Sequence, residues 1–206
     1  MNCKDRLESV SRFNICDLAN GTIITMASEL RVDKIIPTAG VPTGGGGGII
    51  QIKQTVKTDT FVSSALSGGN VSGAAISLDF TALSTSNKLY ITSNLMVTNS
   101  LSSTQRIGSI LYADGNFVTA AVGDAAGSRK RISMGSLVTS DNLYTCISHS
   151  CLITPASTNT ITYDYRLHNG AGDNNVVLYM NRCYNESNSG FMGRGCSTMT
   201  IMEVSA

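Results

Sequence analysis

Three residues with metal-binding side chains lie close together in the chain: Cys146, His149 and Cys151. Thiolate and imidazole groups are the usual ligands of structural zinc, which binds four of them in a tetrahedral arrangement. On a β-strand, however, His149 and Cys151 fall on one face and Cys146 falls on the other. A zinc site would need a sharp bend and a fourth ligand, such as Cys183 or Cys196. We therefore expect ordinary packed side chains here, with no metal and no other cofactor.

Nucleophilic and acid–base catalysis has little support in the residue types. The chain has two histidines, of which His149 is predicted on a strand and His168 in a loop before Asn169. A Gly-x-Ser-x-Gly sequence, which would place a nucleophilic serine on a sharp turn, is missing. The 14 acidic residues fall mostly in predicted turns, where Asp side chains bond the local backbone. We predict that the protein is not an enzyme and has no catalytic residues.

Residues 44–48 are five consecutive glycines. A phosphate-binding loop would continue into Gly-Lys-Ser/Thr and a helix, so that backbone amides and the lysine converge on the anion. Here the glycines lead instead into Ile49 and a predicted strand. Because a glycine run has more backbone freedom than any other segment, it is typical of a hinge.

The hinge residues are Gly44, Gly46 and Gly48, and they divide the chain into two predicted parts. Residues 1–48 form an N-terminal arm, and residues 49–206 form the main domain. The arm is polar and can become ordered on a partner chain, wrapping a large contact area. Its candidate partner-binding residues are Leu30, Val32, Ile35, Ile36 and Pro37.

From residue 49 onward, apolar residues recur with period two, which is the pattern of β-strands. About ten such segments are separated by Gly, Asn, Asp and Ser turns, without helical patterns between them. Asp114-Gly115, between two apolar runs, predicts a two-residue hairpin. The final segment, 197–204, is expected to pair inside a sheet. The predicted fold is all-β: an antiparallel β-sandwich of jelly-roll type with an extended N-terminal arm.

Charge and hydropathy argue against several classes of function. Only 14% of residues are charged and the net charge is +1, so we expect no nucleic-acid or membrane partner. No run approaches the roughly 20 apolar residues of a membrane helix. The first twenty residues lack an apolar block, so a secretory signal is not expected. The six cysteines are then expected to be reduced, with Cys183–Cys196 as the alternative disulfide.

Arg129-Lys130-Arg131 is the one dense positive cluster of the sequence. It fits a solvated turn, or a contact with an acidic surface that is either a neighbouring subunit or an anionic cell-surface glycan. Phe191 and Arg194, in a predicted loop before the last strand, have the same two interpretations. These five residues are the candidate surface contacts.

Five segments of the chain are MASELRVDKIIP (26–37) before the glycines, STSNKLYI (84–91), AGSR (126–129), YMNR (179–182) and STMTIME (197–203). These segments resemble the small β-rich virion proteins of tailed phages, notably cyanophages. The resemblance spans about residues 26–206, although Cys151 stands where those proteins have proline and residues 1–25 precede their usual start. It implies a trimeric β-sandwich appendage on the virion surface.

The resemblance predicts a non-enzymatic structural protein of a phage particle. It would be a homotrimeric knob that residues 1–48 fasten to the major capsid protein or to another virion protein. Fully extended, the arm reaches roughly 160 Å, which leaves no sequence for a fibre shaft and favours a capsid decoration or cement protein. The alternative is a fibre-tip or tail-associated receptor-binding protein, in which loops 123–130 and 185–195 recognise host surface glycan. Either protein would be assembled in the host cytoplasm and exposed on the virion.

Overall fold

The computed structural model describes residues 48–170, 175–188 and 192–206. These ranges contain one 3₁₀ turn, Thr119–Ala121, and no α-helix, so that no described helix could cross a membrane. The strands are β1 (Ile49–Lys57), β2 (Phe61–Val62), β3 (Val71–Thr81), β4 (Lys88–Asn99), β5 (Gln105–Ala113), β6 (Asn116–Phe117), β7 (Met134–Val138), β8 (Thr145–Ile153), β9 (Thr160–Asn169), β10 (Leu178–Met180) and β11 (Ser197–Val204).

The strands form two antiparallel sheets. In the first sheet, β4 pairs with β8 along one edge and with β11 and β10 along the other. Strand β1 then pairs with β11, and β2 pairs with β10. In the second sheet the order is β3-β9-β5, and both β6 and β7 pair with the far edge of β5. The predicted all-β antiparallel sandwich of jelly-roll type is confirmed for the described residues.

A single hydrophobic core joins the two sheets. Alternate residues of β4, among them Leu89, Ile91 and Leu95, are fully buried in it together with Tyr165 of β9. Burying one aliphatic side chain contributes about 1.5–3 kcal/mol. The period-two pattern of the sequence therefore identifies the side chains that hold the sheets together.

Two local predictions are confirmed. Asp114 and Gly115 form the turn between β5 and β6, with φ values of 46° and 80°. Positive φ at both central residues is what a type I′ hairpin turn requires. The final strand, β11, lies inside the first sheet between β1 and β4.

Two other local predictions are wrong. His168 belongs to β9 and is 7% exposed, instead of lying in a loop. The pairing of β9 with β5 continues past this residue, because Gly108 pairs with His168 and the Gly170 amide donates to the Arg106 carbonyl at 2.9 Å. Residues 116–122 are one of the period-two segments from which the sequence predicts strands, but only Asn116–Phe117 forms one, β6, because the chain then enters the 3₁₀ turn.

Most of the predicted arm lies outside the described residues. Gly48 is the first described residue, and its carbonyl accepts a hydrogen bond from the Ser205 amide at 3.0 Å. The other arm and hinge residues named above, together with Phe191, are not among the described residues: Leu30, Val32, Ile35, Ile36, Pro37, Gly44 and Gly46.

Candidate functional site

Strand β1 turns its apolar side chains away from the core. Ile52 is 62% exposed, whereas the polar side chains on the opposite face bond to β3 of the second sheet. Gln51 Nε2 donates to the Thr81 carbonyl at 2.8 Å, and Lys53 Nζ donates to the Asp79 carbonyl at 2.6 Å. A sandwich strand normally presents its apolar face to the core and its polar face to water. In β1 this orientation is reversed.

Ile52 is the first member of an apolar row that crosses the outer face of the first sheet. The register pairs Ile52 with Met202, Met202 with Tyr90, and Tyr90 with Leu152. Leu152 and Tyr90 are 57% and 39% exposed. Since side chains paired across strands lie about 4.5–5.5 Å apart at Cβ, these four residues form a continuous surface. We call them the apolar row.

Uncharged polar side chains border the apolar row on one side. The next register row consists of Gln54, Thr200, Thr92 and Ser150, and Gln54 Nε2 donates to Thr200 Oγ1 at 2.8 Å. An exposed apolar strip with a polar border is typical of a protein-interaction surface. The apolar row and this border therefore have the chemistry of an uncharged docking surface, while the exposed Lys88 of β4 lies on the other side of the row.

A buried carboxylate, that of Glu203, anchors β1 beneath this surface. It accepts hydrogen bonds from the Leu83 amide at 2.9 Å, the Ser84 amide at 3.2 Å, Asn87 Nδ2 at 2.6 Å and the side-chain amide of Gln51. Burial by itself raises the pKa of Glu203, but these hydrogen bonds outweigh it and hold the pKa below its usual value. The ionised carboxylate ties β1, β11 and the β3–β4 loop together. Sequence reasoning passed over Glu203, although a lone acid inside an apolar strand was a usable signal.

A second candidate site is a cavity of about 530 Å³ on the outer face of the second sheet. Its floor follows the strand register. One row runs from Gly135 of β7 through Gly108 of β5 to His168 of β9, and the adjacent row contains Leu137 and Arg106. The floor is therefore built by rigid strands.

Two glycines shape the floor of this cavity. A Cβ placed on Gly135 would lie 3.0 Å from Ile132 Cδ1, and one placed on Gly108 would lie 3.2 Å from the same atom. Because neither residue has a side chain, Ile132 packs down onto the sheet.

The rim of the cavity is cationic. Arg129 and Lys130 line it from the loop before β7, and Arg106 lines it from β5. All three are exposed, and none forms an ion pair within the described part of the chain. Burial, and then the nearby charge of Lys130, lower the pKa of His168, so the imidazole on the floor is neutral at pH 7. We call this site the cationic cavity.

The predicted cluster 129–131 is split by the fold. Arg131 does not line the cavity: its Nε donates to the Gly123 carbonyl at 2.5 Å, and its guanidinium carbon lies 5.7 Å from the centre of the Phe117 ring. The contacts of Arg131 thus stabilise the loop between β6 and β7. Arg106 and His168, which sequence reasoning did not associate with the cluster, are brought to it by strand pairing.

Arg194 lies in a different place, against acidic Glu186. Its Nη2 is 2.5 Å from one carboxylate oxygen of Glu186, while Arg182 lies 3.2 Å from the other. Arg194 also lines a smaller cavity of about 290 Å³ with Tyr144. Its charge is therefore already shared with an acidic neighbour.

The cysteine and histidine side chains of β8 alternate between the two faces, as the sequence predicts. His149 Nδ1 lies 2.8 Å from the Tyr165 hydroxyl, and burial raises the pKa of the Cys151 thiol to about 11. Among the described residues, no group of three or more His, Cys, Asp or Glu side chains could hold a metal ion. The described cysteines are all free thiols: Cys146, Cys151, Cys183 and Cys196.

No model of a known protein family matches the chain, and no curated protein matches it. Among solved structures, the chain is similar to the VP2 subviral particle of infectious bursal disease virus, with 13% identity, a TM-score of 0.36, and coverage of 82% of this chain and 43% of that one. The structure of the Gx strain of that virus gives 15% identity, a TM-score of 0.36, and coverage of 82% and 44%.

Particles of T=1 type derived from the same virus give 13% identity and a TM-score of 0.25, with coverage of 82% and 44%. The chain thus spans less than half the length of these viral chains. A likeness this distant carries no argument about function, which must be argued from the two surfaces described above.

Proposed function

We propose that this chain is a non-enzymatic structural protein of a virus particle. Copies of the sandwich associate into a homotrimer through the apolar row, and residues 1–48 fasten the assembly to the particle. The observation that carries the proposal is the reversed orientation of β1, which exposes Ile52 and Val56 while Gln51 and Lys53 bond inwards. A strand with this orientation is best explained by a further protein layer over its apolar side.

The chemistry of the apolar row favours a second copy of this chain as that layer. Neither the row nor its polar border carries a charge, so a nucleic acid or a strongly charged protein would gain little there. With a net charge of +1, copies repel each other weakly. Burying apolar surface stabilises an association by about 25 cal/mol per Å², and a closed ring of three copies would remove the exposed faces from water.

On the second sheet, the exposed apolar side chains Leu137, Met134 and Phe117 lie on the short strands β7 and β6, away from the centre of its outer face. Ile110 on its outer face is 1% exposed, and the Arg166 guanidinium carbon lies 4.1 Å above the Tyr112 ring centre. The part of this face formed by Ile110, Tyr112 and Arg166 is therefore already covered by groups of its own chain. The contrast supports association through the first sheet.

A non-enzymatic role is supported by the surroundings of the two histidines. His149 Nδ1 lies 2.8 Å from the Tyr165 hydroxyl, and the buried His168 Nε2 has no hydrogen-bond partner among the described residues. In the described part of the chain, neither imidazole bonds to a carboxylate that could orient it as a base.

Within the virion we assign the protein to the capsid surface, as a decoration or cement protein. The resemblance to small phage virion proteins and the glycine hinge after the arm support this role. A protein that binds only the assembled shell stabilises it by mass action.

The second candidate, a fibre-tip or tail-associated receptor-binding protein, is supported by the cationic cavity, which suits an acidic glycan.

Sedimentation velocity of two double variants tests the association. Ile52→Glu with Leu152→Glu places two carboxylates on the apolar row, while Val62→Glu with Leu143→Glu adds the same charge at exposed sites away from it. We expect the wild type and the control to sediment as trimers, and the row variant as a folded monomer with unchanged circular dichroism. A wild type that stays monomeric at high concentration, or a row variant that remains trimeric, would refute the proposal.

A further inference from the structure

We propose that the cationic cavity binds an acidic saccharide, with the sulfate or carboxylate group of a sugar ring held between Arg106, Arg129 and Lys130. This inference goes beyond the association through the apolar row and does not depend on it. A monomeric variant would bind the saccharide as well as a trimer does.

The three cations converge on the cavity from different elements. Arg106 is fixed on β5, where its carbonyl accepts the Gly170 amide at 2.9 Å, while Arg129 and Lys130 come from the loop before β7. Within the described residues none of the three cations has an ion-pair partner, so their like charges repel each other, and a bound oxyanion relieves this repulsion. Guanidinium groups in addition hold sulfate and carboxylate through paired hydrogen bonds.

The walls of the cavity suit a sugar ring better than a free inorganic anion. Ile132 and the 55% exposed Leu137 provide apolar surface next to Arg106, against which the C–H face of a sugar can pack. The volume of about 530 Å³ lies within the usual range of roughly 300–1,000 Å³ for small-molecule sites. One or two sugar rings would fill such a space.

A polyanion such as nucleic acid fits this cavity less well. Binding to single strands uses aromatic platforms for the bases and a basic track along the backbone. No Phe, Tyr or Trp side chain lines the described cavity, and its one aromatic ring, the imidazole of His168, is 7% exposed. Arg131 is directed to Gly123 and Phe117 instead of extending the basic surface. The site accordingly suits a compact charged group on an apolar ring.

Isothermal titration calorimetry of the full chain tests the assignment, with glucose 6-sulfate and glucuronate as probes and glucose and inorganic sulfate as controls. We expect both acidic sugars to bind, glucose not to bind, and inorganic sulfate to bind more weakly than the sulfated sugar. Arg129→Ala with Lys130→Ala should weaken binding by about tenfold or more, because both side chains donate charged hydrogen bonds to the anion.

A charge-matched control distinguishes specific binding in the cationic cavity from general electrostatic attraction to the protein. Lys53→Ala with Lys88→Ala removes the same charge from the first sheet and should leave the affinity unchanged. Leu137→Glu, at an exposed position paired with Arg106, should abolish binding without unfolding the protein. The proposal is overturned if neither acidic sugar binds, if the control weakens binding equally, if Leu137→Glu binds normally, or if inorganic sulfate binds as tightly as the sulfated sugar.

Discussion

Gln51 of β1 donates a hydrogen bond from its side-chain amide to the buried carboxylate of Glu203 in β11. The contact joins residues far apart in sequence, and it fixes the orientation of β1. Because Gln51 is held inwards, its neighbour Ile52 must point outwards. The outward position of Ile52 in the apolar row is thus a consequence of a polar contact inside the sandwich.

Glu203→Gln should lower stability at neutral pH. The variant keeps the shape of the side chain but loses the charge and sets an NH₂ group against amide donors, which costs about 1–3 kcal/mol. For a chain of this size, about 1 kcal/mol lowers the Tm by roughly 2–4 °C. Thermal unfolding followed by circular dichroism at pH 7 measures the difference, and an unchanged Tm would contradict the account.

The same variant should change the pH dependence of folding. The pKa of Glu203 is below its usual value in the folded state, whereas in the unfolded chain it returns to about 4.3. The stability contributed by the ionised group is therefore complete above that pH and is lost as the pH falls through the folded pKa. We expect the Tm difference between wild type and Glu203→Gln to narrow on acidification below pH 4. A constant difference would show that the ionised carboxylate has no such role.

Gly115→Ala should destabilise the hairpin between β5 and β6. Gly115 has a φ of 80°, and a side chain there costs about 1–2 kcal/mol. Gly123→Ala is a suitable control, since its φ is not in the left-handed region and an added Cβ meets no atom within 4 Å. Chemical denaturation with urea compares the two variants. Equal free energies of unfolding would argue against the type I′ turn.

Much of the fold was predictable from the sequence because it depends on local patterns. The period-two segments predict most of the strands. Asp114-Gly115 predicts a turn, because the conformation of a two-residue turn depends on those residues themselves. The two sites were less predictable. The pattern of β1 has two distinct faces, but which of them meets the core depends on Glu203. Similarly, Arg106 and His168 reach the cationic cavity through the register of β5 with β9, which only the folded sheet defines.

Deleting residues 1–43 should separate folding from attachment. If the arm binds another virion protein, the truncated chain keeps the circular dichroism and Tm of the sandwich but no longer occupies virus particles, which then lose heat stability. Particle occupancy, measured by quantitative gel analysis, checks this outcome. Normal occupancy by the truncated chain would refute anchoring by the arm, whatever the result for the apolar row.

The most direct test of the central claim is the rate at which peroxide oxidises Met202 in the full-length protein. Met202 lies within the apolar row, while Met134 of β7 is 43% exposed on the other sheet and serves as an internal reference. Mass spectrometry of peptides gives both rates at several protein concentrations. We predict that Met202 is protected relative to Met134 at high concentration, and that dilution or Ile52→Glu with Leu152→Glu removes this protection. A Met202 rate that is independent of concentration and equal in wild type and variant would contradict association through the apolar row.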